Sequence, residues 1–104
     1  MLTESLLAEI KADLQQAHGH RLRGIVLYGS VARGDARGDS DIDVLVLLAD
    51  PVNYGRDLEA NLRALFPLAM RLGRRISAKP VSARDYETID CPLYANARRE
   101  GTAA

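Results

Sequence analysis

Cysteine is all but missing from this 104-residue chain. Cys91 is the single one, so no disulfide can form within it. That usage is compatible with a reducing cytoplasm, where the chain is expected to reside. With no His or Cys beside it, Cys91 reads as an ordinary packing residue. Net charge is missing too, because 14 basic residues offset 14 acidic ones. A protein that lives on bulk nucleic acid carries a basic surplus, so that class is set aside. No stretch reaches the ~18 consecutive apolar residues of a membrane span. The opening MLTESLLAEIK carries Glu4 and Glu9 and lacks a basic leader, so no signal peptide is expected. Lysine is scarce, at Lys11 and Lys79 only; every other basic residue is an arginine, suited to bidentate contacts with phosphate or carboxylate. There is no linker, low-complexity segment or long repeat, and ARGDARGD is too short to be a structural unit. Its two RGD triplets carry no integrin reading, since nothing marks the chain as extracellular.

What is present is a 47% apolar fraction, enough for one core. The length fits one domain over residues 1–104. Leu6, Leu7, Ile10, Leu14 and Ala17 recur at helical spacing across 3–18, with Thr3 as N-cap and Gly19 as stop. GIVLY (24–28) reads as a short buried strand, and DIDVLVLL (41–48) as a second. On the second, Ile42, Val44, Val46 and Leu48 share one face, and Asp41, Asp43, Leu45 and Leu47 the other. A strand apolar on both faces belongs at the centre of a sheet.

After turn chemistry at 49–55, Leu58, Leu62, Leu65, Phe66, Ala69 and Leu72 mark another helix, ended by Gly73. Its apolar stripe is core or partner surface. Pro67 inside it is expected to kink or split it. RRISAKPVS (74–82) reads as a third strand, with Pro80 pointing to an edge. Ser82 followed by Asp85 is a helix-start signature. The tail CPLYANARREGTAA reads as a last short helix followed by a frayed end near 101–104. His18 and His20 read as surface residues near a helix end. Arg71, Arg74 and Arg75 read as a solvated basic face.

The chemistry is concentrated in LYGSVARGDARGDSDIDVLV (27–46), where aspartates stand at 35, 39, 41 and 43. Asp41 and Asp43 lie two apart on a strand, with Cα atoms about 6.6 Å apart on one face. Together they can hold one cation or bridge two, and a partly open pair of carboxylates suits Mg²⁺, which keeps room for substrate phosphates. Gly29 and Ser30 follow the first strand and precede a segment that reads as a helical turn, SVARG. Unpaired backbone N–H groups at such a turn form an anion site, and glycine admits a phosphate close to the backbone. A D-x-D alone is usually a solvated turn; beside Gly-Ser and between two apolar strands it reads as a site. Asp35 and Asp39 read as solvent-facing. Arg33 and Arg37 either reach the phosphates or balance nearby acids.

Gly29-Ser30, ten residues, then Asp41-Ile42-Asp43 closely resembles the signature of the DNA polymerase β-like nucleotidyltransferase superfamily, and the full string resembles its minimal members. The resemblance covers nearly the whole chain. It implies a small α/β (α+β) domain with a mixed sheet, of the polymerase β-like palm type. It implies that Gly29 and Ser30 bind the nucleoside triphosphate, and Arg33 is the further candidate for a phosphate contact. It implies that Asp41 and Asp43 hold Mg²⁺ and are the catalytic carboxylates. Such proteins are often paired with a HEPN-domain protein as antitoxin and toxin, and some attach AMP to that partner from ATP. Self-association is also compatible with so small a domain.

The likeness departs at one place. The superfamily usually supplies a third carboxylate from a later strand, where this chain has RISAKPV, with Ser77 at the expected position and Lys79 two residues on. Asp35, Asp39, Asp85, Glu87 and Glu100 are the acids available as substitutes. Two functions follow: AMP transfer to a protein hydroxyl, or a nucleotidyltransferase-fold module that neutralises a partner by docking.

Overall fold

The computed structural model describes residues 3–29 and 41–104. Helix α1 (Thr3–His18) buries Leu6, Leu7, Ile10 and Leu14, the stripe its 3.6-residue period lays on one side. Gly19 adopts φ +61°, which ends the helix and starts a short 3-10 turn over Gly19–Arg21. Strand β1 (Leu22–Tyr28) follows directly, two residues earlier than the apolar run alone suggests. Strand β2 (Ile42–Leu48) runs antiparallel to it.

Helix α2 (Tyr54–Leu72) begins before its apolar stripe does. The Asn53 side chain accepts from the Arg56 N–H and caps it, and Gly73 at φ 65° closes it. Pro67 does not split this helix. It stands on the exposed side, where water can serve the carbonyl that loses its partner. Strand β3 (Ile76–Ser82) then pairs parallel with β2, the long connection through α2 being what a parallel pair needs. The Ser82 hydroxyl accepts from the Asp85 N–H and caps helix α3 (Ala83–Thr88). Helix α4 (Pro92–Glu100) opens with its proline in the first turn.

The end of the chain departs from the sequence expectation. Thr102 and Ala103 form a two-residue strand, β4, antiparallel to β1, and Ile25 and Ala104 exchange both backbone hydrogen bonds at 2.9 Å. The unpaired edge of β1 supplies the reason, since its N–H and C=O groups need partners. Gly101 makes the turn into β4 possible. A Cβ there would lie 2.3 Å from the Ala97 carbonyl oxygen and 2.9 Å from that of Leu27.

The sheet order is β3-β2-β1-β4, a mixed sheet with β2 central and β3 at an edge, so the α/β expectation holds. One face packs Ile25, Leu27, Ile42, Val44, Val46, Leu48, Ile76 and Ala78 under α1 and α2. The other packs Val26, Leu45 and Val81 under Tyr86 of α3 and Ala97 of α4. Polar ties join the layers. Asn61, fully buried on α2, donates to the Ala78 carbonyl at 2.9 Å and stands 2.6 Å from His18 Nε2. His18 is therefore a half-buried tie between helices rather than a surface residue. Arg21 holds Asp57, at the start of α2, through two bonds of 3.1 Å.

Candidate active site

The site forms where β1 ends and β2 and β3 begin. In the strand register Tyr28 lies opposite Asp43, and Asp43 lies opposite Ser77. The three make a row across the sheet, on the face covered by α3 and α4. The Ile42 N–H donates to the Arg75 carbonyl at 2.9 Å, which pins the first residue of β2 to the approach to β3.

Gly29 follows Tyr28 with φ +79°, a conformation that favours glycine. A Cβ on it would lie 2.7 Å from Asp43 Oδ2. Gly29, just past the end of β1, and the Asp43 carboxylate on β2 are therefore closely apposed. The sequence placed both residues in one site; the structure supplies the reason residue 29 has no side chain. Asp41 is exposed and Asp43 half-buried. Burial pushes the Asp43 carboxyl above the usual carboxylate range, the Asp41 charge pushes it the same way, and Lys79 opposes both. The Tyr28 hydroxyl is likewise raised, by burial and then by the Asp43 charge.

A carboxylate whose charge is disfavoured by burial and by a neighbouring acid is stabilised by a cation. Among the described residues no group of three or more metal-ligating side chains is assembled. The pair alone still fits Mg²⁺, which takes one or two protein carboxylates and completes its shell with water and phosphate oxygens.

Ser77 adds no carboxylate to this row. Of the possible substitutes, Asp85 and Glu87 lie on α3, beyond the far end of β3. Glu100 ends α4, just before the Gly101 turn. Ser30, Arg33, Asp35, Arg37 and Asp39 lie outside the described residues. Sequence reading passed over Tyr28 as a site residue. The signal was its place immediately before Gly29-Ser30, but its pairing with Asp43 needs the strand register. Below the row, Tyr86 and Tyr94 pack with ring centroids 5.5 Å apart, and the Arg98 guanidinium sits 5.2 Å from the Tyr86 ring centre.

Comparison with known proteins bears on the family and the fold. A family model described as a nucleotidyltransferase domain matches residues 7–90. A protein adenylyltransferase, MntA, of Thermococcus cleftensis is 36% identical over 78 residues, 73% of this chain and 77% of that protein. A solved structure described as a minimal nucleotidyltransferase is 32% identical and covers 98% of this chain and 95% of its own, with a TM-score of 0.56. A toxin-antitoxin structure with AMP-PNP shares the fold at 22% identity and TM-score 0.65, over 98% of this chain and 72% of that one. With the family model spanning most of the sequence and the Asp43 carboxylate set against Gly29, this chain belongs to the nucleotidyltransferase domain family.

Proposed function

We propose that this chain is a Mg²⁺-dependent adenylyltransferase that moves AMP from ATP to a hydroxyl group on a partner protein. The observation that carries the reading is the contact between the Gly29 turn and the Asp43 carboxylate, with Asp41 beside it. It sets an anion cradle against a cation site, the pairing a metal-bound nucleotide requires. In the reaction the acceptor oxygen bonds to the α-phosphorus, the α–β phosphoanhydride bond breaks, pyrophosphate leaves and the hydroxyl proton passes to solvent. Such chemistry needs positioning and charge neutralisation more than covalent help from the protein. Bound Mg²⁺ would neutralise phosphate charge. Asp41 and Asp43 would hold it, and Gly29, Ser30 and Arg33 would bind the triphosphate.

Support for a protein acceptor comes from relatives. The archaeal one is named a protein adenylyltransferase. Some of the structures sharing the fold are toxin-antitoxin structures, two of them of MntA with HpeT. The partner proposed here is of the HEPN type, encoded beside this chain, and the pair acts in the cytoplasm as toxin and antitoxin. The test mixes purified chain, Mg-ATP and that partner, and weighs the partner by mass spectrometry. Added AMP that vanishes in Asp41→Asn is the expected result.

Ser77 favours a second reading, in which the domain neutralises its partner by docking alone. Its neutral hydroxyl stands beside Asp43 where a further carboxylate would complete a metal or base site. No added mass, with partner inhibition surviving both Asp41→Asn and Asp43→Asn, would select that reading.

A further inference from the structure

Lys79 occupies an unusual place for a lysine. On β3, Ile76 and Ala78 enter the core under α1 and α2, while Val81 enters the opposite one. Alternation puts Ser77 and Lys79 on the Val81 side, the side of Asp43. Lys79 pairs with Leu45, so it stands two residues along from the Asp43–Ser77 pair. Diagonal neighbours of this kind have Cα atoms roughly 7–8 Å apart, within reach of a lysine stem. Lys79 is half-buried, and no salt bridge to it forms among the described residues. Its charge nonetheless acts on the Asp43 carboxyl. The ammonium thus acts on the Asp43 carboxylate without neutralising it by contact.

A cation on Asp41 and Asp43 changes the balance. The metal and the Lys79 ammonium would then repel each other across a short gap. An anion between them relieves that repulsion and is attracted by both. A triphosphate chain is such an anion, and lysine binds phosphate as a point charge on a flexible stem. We propose that Lys79 is a substrate-contacting residue, a fixed cation on β3 that binds the nucleotide's phosphate chain opposite the metal held by Asp41 and Asp43. It also makes the site select the metal-nucleotide complex over the bare metal. Ser77 fits this arrangement, because an aspartate there would draw the ammonium away from the phosphate. The inference rests on the nucleotidyl-transfer reading of the site.

Opposite effects on two ligands test it. Binding of Mn²⁺ alone and binding of AMP-PNP with Mg²⁺ are measured by calorimetry for the unmodified chain and for Lys79→Met, Lys79→Gln and Lys79→Arg. A unit charge at this range shifts affinity by about tenfold. Lys79→Met and Lys79→Gln should tighten Mn²⁺ alone roughly three- to tenfold and weaken Mg-AMP-PNP about tenfold or more. Lys79→Arg should return both toward the starting values. Changes within twofold for both ligands, or loss of both together in a variant that stays folded by circular dichroism, overturn the role of Lys79. If the unmodified chain binds no Mg-AMP-PNP, the nucleotidyl-transfer reading falls and this inference with it. A chain that binds the nucleotide equally well with and without Lys79 overturns this inference alone.

Discussion

At the scale of single residues, function and stability pull in different directions. Gly29 is needed twice, for its positive φ and for the space its missing Cβ leaves to Asp43. An alanine there is strained in the backbone, at about 1 kcal/mol or more. The atom it meets is the end of a side chain, so the larger effect is displacement of the carboxylate. Gly29→Ala should stay folded in urea titrations, lose about 1–2 kcal/mol, and bind Mn²⁺ at least tenfold more weakly by calorimetry. Asp43 shows the reverse trade. Its carboxyl is raised by burial and by Asp41, so the folded state bears a cost for keeping it ionised at neutral pH. Without divalent cations, Asp43→Asn should melt a few degrees higher than the unmodified chain at pH 7. Adding Mg²⁺ should narrow the gap by stabilising only the chain that still binds it. A melting point unchanged or lowered in the variant would contradict this account.

At the scale of elements, polar ties set how helices meet the sheet. The Arg21 guanidinium holds the Asp57 carboxyl below its usual range; burial opposes it, and the Asn53 N–H adds to it at 3.0 Å. Arg21 also donates to the Pro51 carbonyl at 2.9 Å, so one side chain joins the start of β1 to the approach and first turn of α2. A carboxylate with a depressed folded pKa contributes fully above its unfolded value. The contribution is lost as pH falls through the folded value. Asp57→Asn should therefore cost about 2 kcal/mol at pH 7, and the difference should shrink below about pH 4. Urea unfolding of both chains at pH 7 and pH 3 checks it; a cost that grows in acid would be inconsistent with the ion pair. A second tie joins Glu9 of α1 to Arg71 of α2 at the surface, where ion pairs contribute little.

At the scale of the whole molecule, two helices cover one sheet face and two short ones the other, leaving the site at the end of the central strand. The apolar stripe of α2 divides on this plan. Leu65 and Leu68 enter the core, while Leu62, Phe66 and Met70 face outward. Leu68→Ala should cost about 3 kcal/mol through the cavity it leaves. Phe66→Ala, at a site 61% exposed, should change stability by about 0.5 kcal/mol or less. Chemical denaturation of the two variants compares them directly, and equal costs would mean that Phe66 is covered in solution.

The sequence by itself determined most of the elements and named candidate residues for the site. Helical and two-residue periods are set by local backbone geometry, so α1 and β2 could be read directly, although β2 begins at Ile42 and Asp41 stands one residue before it rather than on it. The Gly29-Ser30 and Asp41-x-Asp43 spacing, which suggested the proposed chemistry, is local in the same sense. Tertiary structure decided who stands beside whom. That Tyr28 and Ser77 flank Asp43, that Lys79 lies diagonal to it, and that Thr102-Ala103 closes on β1 all depend on strand order and register. So do the His18–Asn61 and Arg21–Asp57 ties, whose partners lie 43 and 36 residues apart. Such pairings are set by how two cores pack against one sheet, a condition on the whole chain that no local period encodes.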